Sequence, residues 1–407
     1  MALDRMEQIL AAELAGLNAD GAAKGPELVI DAILPAAGKF GPRFSLAGED
    51  GASYLRMNSN GYLGLAQRPE VIEAEEKAVR SFGAGPGAVR FIGGTWAPHV
   101  ALEARLADFH SRPAAMVFSS AYAAVMGVLP PLITGETAVI SDALNHNSII
   151  NAVRSAAPTE KRVYAHLDMD DLERNLAEAA ANCRRAIIVT DGIFSMRGDH
   201  APLAAIQELA RIFDGEFAEN VVLVVDDSHG VGAFGETGRG TEEFTGASAD
   251  ILLGTLGKAF GVNGGYVAAS PVVTEYLREK SPFYIYSNPI TPAEAAAASA
   301  AIDVVDSEAG RALLDHLRTM TARFEAGLLQ LGLETIPGAH PVVPLMVRNT
   351  ARTAALVKHL RENHILATGL NYPVVPKGDE EIRFQICADH TPADIDQALV
   401  VLGAFAG

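Results

Sequence analysis

Seven short apolar runs, AAMVFSS, TAVISD, RVYAH, RAIIVTDG, VVLVVDDSH, ILLGTLGK and GGYVAAS, alternate with segments of helical pattern across residues 114–270. Runs that are apolar at every position, rather than at every second one, belong to strands covered on both faces. Such strands build largely parallel sheets between helical layers. The intervening segments, 202–213 among them, are long enough for crossover helices. The last part of the chain reads differently, with strand-like VVPLMVRN and IRFQIC, a helix over 353–362 and a final helix after Thr391 and Pro392. Thr before Pro is an N-cap followed by the first helical position. The fold expected is therefore α/β, a large domain with a mostly parallel sheet and a small α+β C-terminal domain. The boundaries fall at 1–57 for an N-terminal helix and arm, 58–326 for the large domain and 327–407 for the small one.

With 407 residues, 49% of them hydrophobic and 20% charged, the chain has ample material for a buried core. Its 32 Lys and Arg against 50 Asp and Glu give a net charge of −18. That is the wrong sign for non-specific binding to a phosphate backbone, so no nucleic-acid partner is expected. Cys183 and Cys387 lie far apart and in no CxxC, which excludes a disulfide framework and a zinc knuckle, and no metal is expected. Leu3, Met6, Leu10, Leu14 and Leu17 recur at helical spacing among acidic residues, unlike a secretory leader. They predict an amphipathic helix docking on the body or on a second subunit. The Ala-rich stretch 293–305 is interrupted by Glu294 and Asp303 and is too short to span a bilayer. A cytoplasmic protein with no membrane partner is the expectation.

Lys258 sits in GTLGK, after an apolar strand and before a glycine-rich turn, with no charge close by. A desolvated amine of lowered pKa is a nucleophile toward carbonyls, as a Schiff-base lysine must be. Alone on a loop, a lysine is more often solvated; its company changes that reading. Asp226, Asp227, Ser228 and His229 end the VVLVV run, at the edge where open α/β sheets place ligands. A carboxylate there can keep a pyridine nitrogen protonated, and an imidazole can bond a phenolic oxygen; two N-capping aspartates are the plainer alternative. Lysine and aspartate, 32 residues apart, are the electron-sink partners a pyridoxal phosphate enzyme needs. Ser120, Ala121 and Tyr122, at an expected helix start, offer hydroxyl and N–H groups to a phosphate, and Thr255 offers another hydroxyl. The glycine run at 83–87 follows a helical segment and lacks the GxxxxGK[ST] pattern, so it is weak as a nucleotide loop.

In this order and spacing, GAGPGAVRFIGGT, SDALNHNSII, TDGIFSMRGDHAPL, VDDSHGVGAFGETGRG, GTLGKAFGVNGGY and SNPITPA resemble the α-oxoamine synthases, pyridoxal phosphate enzymes of fold type I. The resemblance runs from about Asn58 to the C-terminus. Within the family, RFIGGT, SDALNHNSII and NYPVVPKGDEEIRFQICADHTPADI look most like glycine C-acetyltransferase. The resemblance implies that Lys258 carries the cofactor and moves protons at Cα, that Asp226 pairs with the pyridine N–H and that His229 bonds the phenolic oxygen. It implies further that His146 stacks on the ring, and that Ser120, Ala121, Tyr122 and Thr255 serve the phosphate. Ser287 and Asn288 match a segment reaching a phosphate from the partner of a homodimer with shared active sites, and Arg383 with Asn60 matches the pair holding the amino acid carboxylate. Arg383 also stands between Ile382 and Phe384, facing opposite to them on a strand, where its fork suits a carboxylate. Gly61 stands where the family usually has Asn or Asp, and Ala121 where relatives have Gly or Cys. The reaction expected is glycine with acetyl-CoA giving 2-amino-3-oxobutyrate and CoA. The alternative is a decarboxylating synthase such as 8-amino-7-oxononanoate synthase, using L-alanine and a longer acyl-CoA.

Overall fold

The computed structural model describes residues 3–19, 23, 25–49, 51–372 and 374–405. Pro373, inside the NYPVVPKGDEE segment, lies outside the described residues. The chain forms two compact units, one of Asn60–Thr321 with Gly338–Pro341, the other of Met1–Ser59, Ala322–Pro337 and Val342–Gly407. Residues 1–57, read from the sequence as a separate helix and arm, are grouped with the smaller unit.

The larger unit is built on seven strands: β1 (Ala114–Phe118), β2 (Thr137–Asp142), β3 (Glu160–Tyr164), β4 (Arg185–Asp191), β5 (Val221–Asp226), β6 (Ile251–Thr255) and β7 (Gly265–Ala269). Their order across the sheet is β1-β7-β6-β5-β4-β2-β3. Pairs from β6 to β3 are parallel, whereas β7 is antiparallel to both β1 and β6. The exception has a simple cause: β6 and β7 are joined by nine residues, too few for a crossover helix, so the chain must turn back. Ile187, Ile188, Val189, Val224 and Val225 are at most 1% exposed, as continuous apolar runs require. At the edge, β3 alternates instead, with Lys161 and Val163 exposed, because it has no neighbour on one side.

Because β2, β4 and β5 are parallel, their terminal residues Asp142, Asp191 and Asp226 all emerge at one edge of the sheet. The Ala-rich stretch forms the helix Pro292–Val305, opened by a reciprocal cap in which Thr291 Oγ1 accepts from Glu294 N–H and Glu294 Oε2 accepts from Thr291 N–H. Ala293, Ala295, Ala297, Ala298 and Ala301 are buried, their small side chains letting the helix lie close to its neighbours Pro69–Phe82 and Ala97–Phe109.

In the smaller unit the strand Glu381–Gln385 lies between Val342–Met346 and Thr368–Leu370, antiparallel to both. The final helix, Pro392–Gly403, is capped by Thr391, which accepts from the Asp394 N–H. The amphipathic helix forms at Asp4–Ala19, but it buries no residue, and Ile9 and Leu14 are each 60% exposed. Of the two dockings expected, on the body or on a second subunit, the single chain does not make the first. Among the described residues no helix is long and apolar enough to cross a membrane.

The sheet's weight in folding can be measured at its centre. Ile188→Ala, which empties a fully buried site in β4, is expected to lower the free energy of unfolding by about 2–5 kcal/mol in a urea titration.

Candidate active site

A pocket of about 370 Å³ opens at the carboxyl edge of the sheet, lined by Ala121, Tyr122, His146, Ser148, Asp191, Ile193, Ser195, Asp226, Ser228, His229 and Lys258. Six of the residues singled out in the sequence therefore meet in one place. Lys258 is half-buried in the β6–β7 loop, which is held by Leu256 N–H to Gly264 O, Val262 N–H to Leu256 O and Gly261 N–H to Lys258 O bonds. Leu256, Ala259 and Phe260 around it are at most 1% exposed, so the amine projects from a packed turn.

Asp226 ends β5 in register with Asp191 at the end of β4, and both carboxyls face the pocket. Asp226 Oδ1 accepts from the Ser228 hydroxyl at 2.6 Å and the Ser228 N–H at 3.1 Å. Asp191 is wholly buried and accepts from the His146 N–H at 3.0 Å. Burial, then the neighbouring Asp226 charge, raises the Asp191 pKa well above the carboxylate range.

The adjacent aspartate has a different task. Asp227 is wholly buried, and its carboxylate accepts from Thr241 N–H and Thr241 Oγ1–H, each at 2.6 Å. A Cβ on Gly192, Gly230 or Gly240 would lie within 2.2 Å of that carboxylate. Neither aspartate is the N-cap of a helix: Asp226 accepts from the N–H two residues on, and Asp227 from Thr241, fourteen residues on, in a helix whose N-cap is Gly240.

His146 is the N-cap of the helix Asn147–Ala156, its Nδ1 lying 2.7 Å from Ser148 Oγ and accepting from the Ser148 N–H at 3.3 Å. Burial lowers its pKa, so the ring is neutral near pH 7. His229 Nδ1 lies 2.7 Å from the buried Tyr62 hydroxyl, and its backbone oxygen accepts from His340 Nε2 at 2.9 Å. His340 is wholly buried, which pushes its pKa down to about 3 and keeps it neutral.

Ser120 caps the helix Ala121–Leu132 by accepting from the Ala123 N–H, leaving the N–H groups of Ala121 and Tyr122 without an intrahelical acceptor. The helix start closes onto β7 only because residue 265 is glycine: a Cβ there would lie 2.3 Å from Ala121 N. Such a helix end is an anion site. Amine, paired carboxyls, neutral imidazole and anion cradle together fit an aldehyde-bearing pyridine phosphate. Thr255 instead works in the turn, donating to Gly264 O at 3.2 Å and accepting from the Gly257 N–H at 3.1 Å. Ser287 and Asn288, after the helix Pro282–Ile285, do not line this pocket, nor does Asn60. Arg383 is a half-buried residue of the smaller unit's central strand, between fully buried Ile382 and Phe384.

Sequence reasoning missed Asp191, Tyr62 and His340. Asp191 had a legible sign, the TDG that ends an apolar run as Asp226 does. Because its folded pKa is raised, Asp191 costs increasing stability as pH rises above the ordinary carboxylate range. Asp191→Asn should remove that slope, so that its melting temperature relative to the parent rises from pH 5 to pH 8 in a calorimetric series.

The model of aminotransferase class I and II matches residues 52–402. An 8-amino-7-oxononanoate synthase 1 of Bacillus velezensis is 41% identical over 90% of this chain and 91% of its own. An 8-amino-7-oxononanoate synthase of Citrifermentans bemidjiense is 39% identical over 97% of each. Among solved structures, serine palmitoyltransferase of Sphingomonas wittichii superposes with a TM-score of 0.88 at 26% identity, over 99% of this chain and 97% of that one. These relatives overturn the expectation of glycine C-acetyltransferase drawn from RFIGGT, SDALNHNSII and the NYPVVPK segment. Of those motifs only SDALNHNSII reaches the pocket, through His146 and Ser148. With its fold type I architecture, the chain belongs to the α-oxoamine synthase family of pyridoxal phosphate enzymes, within aminotransferase class I and II.

Proposed function

We propose that this protein is a decarboxylating α-oxoamine synthase that joins L-alanine to the acyl group of a long acyl thioester, releasing carbon dioxide and the free thiol, as an 8-amino-7-oxononanoate synthase does. The observation that carries the reading is the identity of 38–41% to 8-amino-7-oxononanoate synthases over 86–97% of the chain. The pocket supports it with the groups that the chemistry needs. Pyridoxal phosphate, when bound, supplies an aldehyde carbon for an amine and a ring that accepts the electron pair left at the amino acid's Cα.

Lys258 would hold the cofactor through Nζ and would move the proton at Cα. Asp226, held by the hydroxyl and N–H of Ser228, keeps a proton on the ring nitrogen, with Asp191 beside it at the sheet edge. His229, steadied by Tyr62 and by the backbone bond from His340, bonds the phenolic oxygen. Neutral His146 lies on the ring face. Ala121 and Tyr122 N–H groups hold the phosphate with Ser120 capping behind them, and Arg383 with Asn60 holds the amino acid carboxylate. In the overall reaction the Cα–H, thioester C–S and Cα–carboxylate bonds break, a Cα–acyl bond forms, and Cα is reprotonated. The active assembly is a homodimer to which Ser287 and Asn288 contribute across the interface. Exposed Tyr286, next to Ser287 and 79% accessible, and exposed Phe91 and Ile92, in the turn Arg90–Ile92 that packs near the helix Pro282–Ile285, support a covered surface there.

The test is a visible spectrum of the cofactor-loaded protein titrated with alanine, glycine, serine and threonine, followed by an acyl-thioester series read by thiol and carbon dioxide release. Alanine is expected to be preferred, with one carbon dioxide per thiol; thiol release without carbon dioxide, or preference for another amino acid, overturns the reading. Lys258→Ala should abolish both the visible band of covalently held cofactor and thiol release. Asp226→Asn should keep the fold and lower kcat about 10²- to 10³-fold, the scale of one lost preorganised electrostatic partner.

A further inference from the structure

We propose that His166 is a positioning residue, whose cationic imidazole bridges the carboxylates of Asp142 and Asp199 and thereby clips the hairpin 193–200 over the cofactor pocket. Its link to catalysis rests on the function proposed above; the clip itself does not.

His166 follows β3 and lies outside the pocket lining. Its Nδ1 is 2.9 Å from Asp142 Oδ1 and its Nε2 is 3.3 Å from Asp199 Oδ2. With a carboxylate oxygen at each nitrogen, only the doubly protonated ring can donate to both; the neutral ring would set a lone pair against an anion. Asp142 is fixed in position, since it also accepts from the Leu144 N–H at 2.8 Å and the Leu167 N–H at 3.1 Å. Asp199 is shared with Arg197, whose Nε donates to it at 2.8 Å. The charged groups facing the imidazole are thus Asp142 from the end of β2, with Asp199 and Arg197 from the hairpin; the neutral Tyr164 phenol lies near Asp142 from β3. Phe194 completes the enclosure, edge-on to the imidazole at 4.4 Å between centroids.

The hairpin is closed by the Ile193–His200 bridge and by Phe194 N–H to Asp199 O and Gly198 N–H to Phe194 O bonds. Two of its residues, Ile193 and Ser195, line the pocket. On the other side, Asp142 shapes the turn that leads to His146, through its bond from Leu144 N–H. One imidazole therefore ties together two walls of the pocket without touching its contents. Burial alone would lower the His166 pKa; the bonds to Asp142 and Asp199 outweigh it and push it up to about 9. The sign follows: the clip is fully present below the ordinary histidine range and is lost as pH rises through about 9.

The test is hydrogen exchange of the full-length, cofactor-loaded protein, expressed as protection factors so that the intrinsic pH dependence is removed. In His166→Gln at pH 7.5 the Phe194 and Gly198 amides should lose protection about tenfold while the amides of β4 and β5 keep theirs. The parent protein should show the same local loss between pH 8 and pH 10, and His166→Gln should show none over that range. Asp199→Asn should reproduce the loss, and it carries the test with the parent pH series if the glutamine variant does not fold. Unchanged hairpin protection in these variants, or a loss spread equally over β4 and β5, overturns the proposal. A different amino acid or acyl donor would leave all these outcomes as they are, so the clip and the proposed reaction fail separately.

Discussion

Two carboxyls buried side by side, Asp191 and Asp226, set the terms for everything else in the pocket. Neighbouring parallel strands in register deliver them to the same sheet edge, and close acids in a dry site cannot both ionise cheaply. Both are buried, and each is given donors, Asp191 the N–H of His146 and Asp226 the hydroxyl and N–H of Ser228. The antiparallel strand of this sheet, β7, brings in the opposite charge: its hairpin with β6 carries Lys258 back toward the acids, and burial, joined by that charge, lowers the pKa of His146.

Around this centre the supporting contacts come from distant parts of the chain. Tyr62 reaches His229 across 167 positions, and His340 reaches the His229 backbone across 111. Both lie within the larger unit, which explains why its second segment, Gly338–Pro341, is separated in sequence but compact in space. Neutral, buried His340 acts here as a fixed donor to a backbone oxygen.

What the sequence disclosed follows from locality. Most strands were continuous apolar runs, and β5 and β6 led into Asp226, His229 and Lys258, which line the pocket, so these could be read directly, whereas His146 came from the family resemblance. The antiparallel course of β7 depended on the length of one loop. The Asp191–Asp226 pairing depended on which strands lie beside each other, and His166 on two partners 24 and 33 residues away. None of these leaves a periodic signal. Thr255 shows a second use that no local pattern announces, since its hydroxyl beside a glycine-rich turn also serves the turn. The choice of glycine and acetyl-CoA failed because the motifs that announced the family are those its members share.

The twin aspartates carry a lesson for interpreting substitutions. Strand geometry sends successive side chains to opposite sides, so a single step along the backbone separates an acid aimed at the ligand from one walled in by Gly192, Gly230 and Gly240. An inactive variant at the second of these positions would report a collapsed framework rather than missing chemistry. Any survey that scores dead clones without checking for folded protein would therefore count this architectural acid among the reactive ones.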